Sequence, residues 1–76
     1  MRIAFFSTKP YDRIWFEPMA KDYGYEIYFI ELPFSEETVF LAKGYDAVCI
    51  FVNDHVNAQM IDTLHEMGVK ALLLRS

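Results

Sequence analysis

The chain has 76 residues, of which 54% are apolar and 17% aromatic, and its formal charge at pH 7 is −4. Its seven basic residues are spread singly, without the cluster that binding to a phosphate backbone requires, so we expect no nucleic-acid partner. No run approaches the roughly 20 apolar residues of a membrane span. The single cysteine, Cys49, cannot form an internal disulfide. We therefore expect a cytoplasmic protein without a membrane anchor.

Four short apolar runs recur at similar intervals along the chain, and each is predicted to be a strand. The first and third are nearly continuous in hydrophobicity, which is typical of strands buried on both faces of a parallel sheet. The predicted strands are residues 2–7, 25–31, 46–52 and 70–75.

The two segments between the first three strands have helical character. In the first, residues 11–22, Pro18 interrupts the pattern, so the helix either starts late with Pro18 near its first turn or kinks there. The second begins at Ser35, a predicted N-cap followed by two glutamates that complement the helix dipole, and Gly44 marks its end.

The third helical segment is the clearest of the three. Asn57 is its predicted N-cap and Gly68 its stop, and between them apolar residues repeat at three- and four-residue steps. The order βαβαβαβ then predicts one α/β unit with a parallel sheet. Doubly wound flavodoxin-like sheets carry five strands in the order 2-1-3-4-5, so we expect order 2-1-3-4 here, incomplete at the C-terminus.

The topology predicts where a ligand site would lie. In open α/β sheets, ligands bind beyond the carboxyl ends of the strands at the point where the strand order reverses. With order 2-1-3-4, that point brings together residues 7–9 after the first strand and residues 51–55 after the third.

The spacing of the polar and reactive residues does not by itself indicate a catalytic or metal-binding site. Asp54 and His55 are adjacent and point in opposite directions, so we interpret them as solvated loop residues, with Asp54 helping to cap the next helix. His65 is expected to face solvent, and Cys49 to behave as a small buried hydrophobe. No Cys/His spacing predicts a metal site, and no nucleophile elbow or Walker loop occurs.

The aromatic residues favour packing over ligand binding. The tyrosine-rich stretch 23–29 has no basic neighbours to accompany base stacking, so we expect it to pack at the core and sheet edge. Trp15 and Phe16 are either core residues or a surface that further chain covers, and the pattern does not separate these two interpretations. The apolar excess as a whole predicts surface that is covered by more chain or by a second subunit.

Several segments resemble one family at matching spacing along the whole chain. Residues 7–12, Ser-Thr-Lys-Pro-Tyr-Asp, resemble the S-T-K-x-Y-D opening of fermentative bacterial D-lactate dehydrogenases, which are D-isomer-specific 2-hydroxyacid dehydrogenases. Residues 46–54 resemble the A-V-C-I-F-V-N-D strand of that family, and residues 68–70 and 74–76 continue the match into its L-R-S segment. Pro10, Pro18 and the stretch 55–57 depart from the family pattern.

The resemblance implies that residues 1–76 are the N-terminal part of the substrate-binding (catalytic) domain of an enzyme that reduces pyruvate with NADH. The apolar surface predicts in addition that the protein is a homo-oligomer. The resemblance also implies that the nucleotide-binding domain and all catalytic residues lie outside this chain, which would bind no NAD and be inactive alone. The glycines agree, because none belongs to a G-x-G-x-x-G motif. The residues implied as substrate-pocket wall are Phe51, Val52 and Asn53.

Free-standing flavodoxin-like modules are the alternatives. A phospho-receiver domain would place its acceptor at Asp54, but it needs an acidic pair after the first strand, where residues 7–9 are Ser-Thr-Lys. A flavin-binding module would need a glycine in the same loop. A protein–protein interaction or regulatory module has no such requirement and remains the main alternative.

Overall fold

The computed structural model describes residues 1–75 as one four-stranded parallel sheet with helices on its faces. The strand order is β2-β1-β3-β4, which confirms the predicted order 2-1-3-4. In chain order the elements are β1 (Arg2–Phe5), α1 (Pro10–Tyr23), β2 (Glu26–Phe29), a 3₁₀ helix (Val39–Ala42), β3 (Ala47–Phe51), α2 (Ala58–Glu66) and β4 (Ala71–Arg75).

Two hydrophobic clusters cover the two faces of the sheet, because successive side chains of each central strand point to opposite faces. The larger cluster joins β1 and β3 to α2 and to the segment between β2 and β3, and the smaller one joins the same strands to α1. The larger includes Phe6, Phe34, Val48, Ile50 and Met60, and the smaller includes Ile3, Phe5, Ala47 and Cys49.

Helix α1 begins at Pro10 and runs through Pro18, so the alternative of a late start is wrong. Pro18 has no N–H for the carbonyl of Ile14, but both residues are exposed and water can reach that carbonyl. The structure also separates the two neighbouring aromatic residues. Phe16 packs on Phe5, with ring centroids 5.0 Å apart, whereas Trp15 is 74% exposed.

The predicted second helix is wrong as an α-helix, because residues 35–44 form turns and only the short 3₁₀ helix. Here a side-chain hydroxyl binds local backbone groups and closes a turn just before the 3₁₀ helix. The Thr38 hydroxyl donates to the Pro33 carbonyl at 2.7 Å and accepts the Ser35 N–H at 2.9 Å. Ser35 therefore closes a local turn instead of capping a helix.

Helix α2 begins and ends at the predicted residues. The Asn57 Oδ1 atom accepts the Met60 N–H at 2.9 Å, and Gly68 follows the helix with a φ of +85°. His65 is exposed on this helix, as expected. Across residues 1–75, the helices are all too short or too polar to cross a membrane.

Candidate functional site

The site lies at the carboxyl ends of β1 and β3, which are neighbours in the sheet. The Ser7 hydroxyl, after β1, donates to both oxygens of the Asp54 carboxylate, after β3, at 2.7 Å and 2.9 Å. The fold therefore brings together the two segments, 7–9 and 51–55, that the topology predicted to meet.

The three residues implied as pocket wall occupy one turn that closes on itself. The Phe51 N–H donates to the Asp54 carboxylate at 3.0 Å, and the Asp54 N–H donates to the Phe51 carbonyl at 2.9 Å. Phe51 is half-buried, whereas Val52 is 56% exposed and Asn53 is exposed. The turn thus presents an aromatic ring, an aliphatic side chain and an amide at the edge of the sheet.

The prediction that Asp54 helps to cap α2 is wrong. Asn57 caps that helix, and the Asp54 carboxylate is taken up by the Ser7 hydroxyl and the Phe51 N–H. His55 next to it is exposed, as expected. Asp54 is half-buried and is therefore a structural tie between two strands, not a solvated loop residue.

Beneath the turn lies a buried ion pair between Arg75, at the end of β4, and Asp12 of α1. The Arg75 Nη2 atom donates to the Asp12 carboxylate at 3.1 Å and to the Ser7 carbonyl at 2.6 Å. The two charged side chains are only 12% and 7% exposed. The guanidinium also lies over two rings, 4.3 Å from the centroid of Phe5 and 5.5 Å from that of Phe51.

Neither Arg75 nor Asp12 was among the predicted site residues, although the sequence carries a signal for both. Arg75 ends the fourth strand and Asp12 is the third residue of the helix that follows the first strand. Both positions lie at the same edge of a parallel sheet, so opposite charges there were candidates for a pair.

Cys49 lies on the same face of the sheet as this ion pair. Burial raises the pKa of the Cys49 thiol above its ordinary value of 9.0, and the nearby Arg75 guanidinium offsets only part of that rise. The thiol is therefore protonated at neutral pH and packs as a small apolar group, as expected.

A depression of about 280 Å³ flanks the loop after β1, but the Phe51 turn does not line it. Its lining residues are Thr8, Lys9, Pro10, Arg13 and Glu31.

The residues at this edge do not fit the phosphates of a dinucleotide. Such phosphates bind free backbone N–H groups at a helix N-terminus. At α1, Pro10 has no N–H and the Lys9 N–H already donates to the Asp12 carboxylate at 2.7 Å. Within residues 1–75 there is also no cluster of three or more His, Cys, Asp or Glu residues that could hold a metal ion.

Comparison with known proteins relates the sequence to one group of enzymes. No protein-family model matches it. Among curated proteins, it is 41% identical to a 2-hydroxyacid dehydrogenase homolog of Zymomonas mobilis, 43% to a putative D-lactate dehydrogenase of Dictyostelium discoideum and 37% to the D-lactate dehydrogenase of Escherichia coli. Each match covers 99% of this chain and 22–23% of the relative, so the chain spans less than a quarter of their length.

Solved structures agree with the sequence comparison. The fold matches the Salmonella D-lactate dehydrogenase with a TM-score of 0.91 and the apo-enzyme of Escherichia coli with 0.92, both at 36% identity. It also matches the NAD-complexed D-isomer specific 2-hydroxyacid dehydrogenase of Lactobacillus delbrueckii ssp. bulgaricus, with a TM-score of 0.86 and 28% identity. Each match covers 97% of this chain and 22–24% of the solved chain. In sequence and in fold, the chain is similar over nearly its whole length to D-lactate and D-isomer-specific 2-hydroxyacid dehydrogenases.

Proposed function

We propose that this chain is the N-terminal part of the substrate-binding domain of a cytoplasmic, NAD-dependent D-lactate dehydrogenase, and that it supplies one wall of the pyruvate pocket. The observation that carries the proposal is the closed turn at residues 51–54, which holds a half-buried aromatic ring at the switch point of the sheet. The named relatives supply the reaction class.

The chemistry of the turn suits a small substrate with a methyl group. The Phe51 ring and the Val52 side chain are apolar, so they favour a methyl substituent and disfavour a charged one, which would lose its water without gaining a partner. The exposed Asn53 amide offers a donor and an acceptor beside them. These three residues bind and select substrate in the proposal and take no part in the chemical step.

The chain alone is inactive in this proposal, because it spans less than a quarter of the relatives' length and the two carboxylates at the site are already engaged. The Asp54 carboxylate holds the Ser7 hydroxyl and a backbone N–H, and Asp12 is paired with Arg75. The reduced cofactor, NADH, would be held elsewhere in the complete enzyme and would supply the hydride that reduces the substrate carbonyl. The acid–base group and the groups that bind the cofactor then come from the remaining length that the relatives have.

The test uses the full-length protein that contains this sequence. We expect it to oxidise NADH with pyruvate and to produce D-lactate, detected by chiral chromatography, and we expect the 76-residue chain to show no NADH oxidation. A full-length protein that forms L-lactate, or that leaves NADH unchanged with pyruvate and with other 2-oxo acids, would contradict the proposed function.

One observation favours the alternative of an interaction module. The outer face of α1 carries large apolar side chains at helical spacing, and these remain exposed in the described chain. They are Tyr11, Ile14, Trp15 and Met19, which are 57%, 71%, 74% and 41% exposed. Such a face serves equally well as the contact surface of a homo-oligomeric enzyme.

A further inference from the structure

A single carboxylate ties the pocket turn to the neighbouring strand. Asp54 accepts the Ser7 hydroxyl on both of its oxygens, at 2.7 Å and 2.9 Å, and one of these oxygens also accepts the Phe51 N–H at 3.0 Å. Hydrogen bonds to an ionised acceptor are shorter and stronger than those between neutral groups. Asp54 therefore holds the Phe51 backbone on the β1 side and is itself held by Ser7, while on the β4 side the Val52 N–H donates to the Arg75 carbonyl at 2.9 Å.

Ser7 is itself held from three directions. Its N–H donates to the Leu32 carbonyl at 2.9 Å, its carbonyl accepts from Arg75 at 2.6 Å, and its hydroxyl binds Asp54. Its φ is +54°, in the left-handed region that strains the backbone of a non-glycine residue. Only 6% of Ser7 is exposed, so these contacts keep a strained residue in one orientation at the base of the site.

We propose that Asp54 is a positioning residue that sets substrate selectivity by holding the Phe51 ring in place without touching the substrate. The inference rests on the proposed function, since it assumes that Phe51 lines the pocket. A direct catalytic role does not fit, because both Asp54 oxygens already accept hydrogen bonds from this chain. Without Asp54 the turn loses its tie to β1, and the ring gains freedom to move away from the substrate.

The chain contains a matched control at the opposite edge of the sheet. Asp46, just before β3, accepts the Arg2 N–H at 2.8 Å. This carboxylate also joins the β1 and β3 segments, but at their amino ends, where it has no contact with the pocket turn. Removing it tests the loss of a strand-to-strand tie without disturbing Phe51.

The experiment compares Asp54→Ala with Asp46→Ala in the full-length enzyme. The main readout is the ratio of kcat/KM for pyruvate to kcat/KM for a bulkier 2-oxo acid. We expect Asp54→Ala to lower this ratio by about five- to tenfold, mainly through a higher KM for pyruvate, because a mobile wall binds the small substrate less well. Asp46→Ala should lower the melting temperature comparably but change the ratio less than about twofold.

Two further variants separate positioning from general stability. Asp54→Asn keeps one carbonyl acceptor in nearly the same shape and should recover part of the selectivity. Ser7→Ala should shift the ratio in the same direction as Asp54→Ala but less, and the double variant should be no worse than Asp54→Ala alone, because the two residues share one contact.

Three outcomes would overturn the inference. Equal ratios for Asp54→Ala and Asp46→Ala would make Asp54 a purely structural residue. A loss of kcat at unchanged KM in Asp54→Ala would make it catalytic. The third outcome comes from hydrogen exchange at the Phe51 amide, which is independent of activity. Exchange should be faster in Asp54→Ala than in the unmodified protein and unchanged in Asp46→Ala. Equal exchange rates in the two variants would refute the hydrogen bond between Asp54 and the Phe51 N–H as the contact that holds the turn. Absence of 2-oxo acid reduction in the unmodified enzyme refutes the proposed function instead.

Discussion

The Phe51 backbone and the Phe51 ring make different contacts, since the N–H and the carbonyl hydrogen-bond to Asp54 and the ring takes no part in those bonds. Phe51→Ala should therefore widen the pocket and leave the turn intact. In the full-length enzyme we expect the preference for pyruvate over a bulkier 2-oxo acid to fall by about tenfold. Phe51→Tyr keeps the ring and is the matched control. Unchanged selectivity in Phe51→Ala would show that the ring does not line the pocket.

Cys49 makes the stability of the fold depend on pH in the alkaline range. Its pKa in the folded state lies above the ordinary value of 9.0, so the folded state holds the proton more tightly than the unfolded state. The contribution of Cys49 to the free energy of unfolding is therefore fully present well below pH 9. It is lost as the pH rises from that value towards the folded pKa. Denaturant unfolding at pH 8 and pH 10 measures the decrease. Cys49→Ala should show a smaller one, and an equal decrease in both proteins would contradict the prediction.

At the scale of elements, α1 carries two prolines whose costs differ. Pro10 occupies the first helical position, where a missing N–H costs nothing, whereas Pro18 lies inside the helix and leaves the Ile14 carbonyl without its usual donor. Pro18→Ala should raise the free energy of unfolding by about 1–3 kcal/mol, and Pro10→Ala should change it by less than about 0.5 kcal/mol. Urea unfolding followed by circular dichroism measures both. A destabilised Pro18→Ala variant would show that the proline is needed for the path of the helix.

The elements that sequence patterns predict are those whose signals are local and consistent. The strands follow from continuous apolar runs, and α2 follows from an N-cap at Asn57, an apolar repeat and a stop at Gly68. The segment after Ser35 carries the same kind of cap signal, yet the Thr38 hydroxyl takes the Pro33 carbonyl and the Ser35 N–H. An N-cap residue alone does not distinguish a helix from a hydroxyl-closed turn.

At the scale of the whole molecule, topology predicts where the site lies but not what holds it together. The strand order alone places residues 7–9 beside residues 51–55, and the structure confirms that placement. The pair between Asp12 and Arg75 spans 63 residues and depends on side-chain reach across two strands, which no local pattern contains. The proposed role of Phe51 in the substrate pocket rests on the resemblance to the family, because an aromatic residue at a strand end does not by itself indicate a binding site.

The exposed face of α1 predicts self-association, and Trp15 offers a direct probe because it is the only tryptophan in the chain. Its indole is 74% exposed, so a monomer should show the emission of a water-exposed indole, and association through this face should shift the emission to shorter wavelengths as concentration rises. Light scattering on the 76-residue chain should show association beginning at the same concentration.

Two variants test whether α1 makes the contact. Ile14→Glu should move the onset of association to higher concentration, because a buried charge opposes the contact. Phe40→Glu, at an exposed residue outside α1, should leave the onset unchanged. A strictly monomeric chain at high concentration would contradict the prediction.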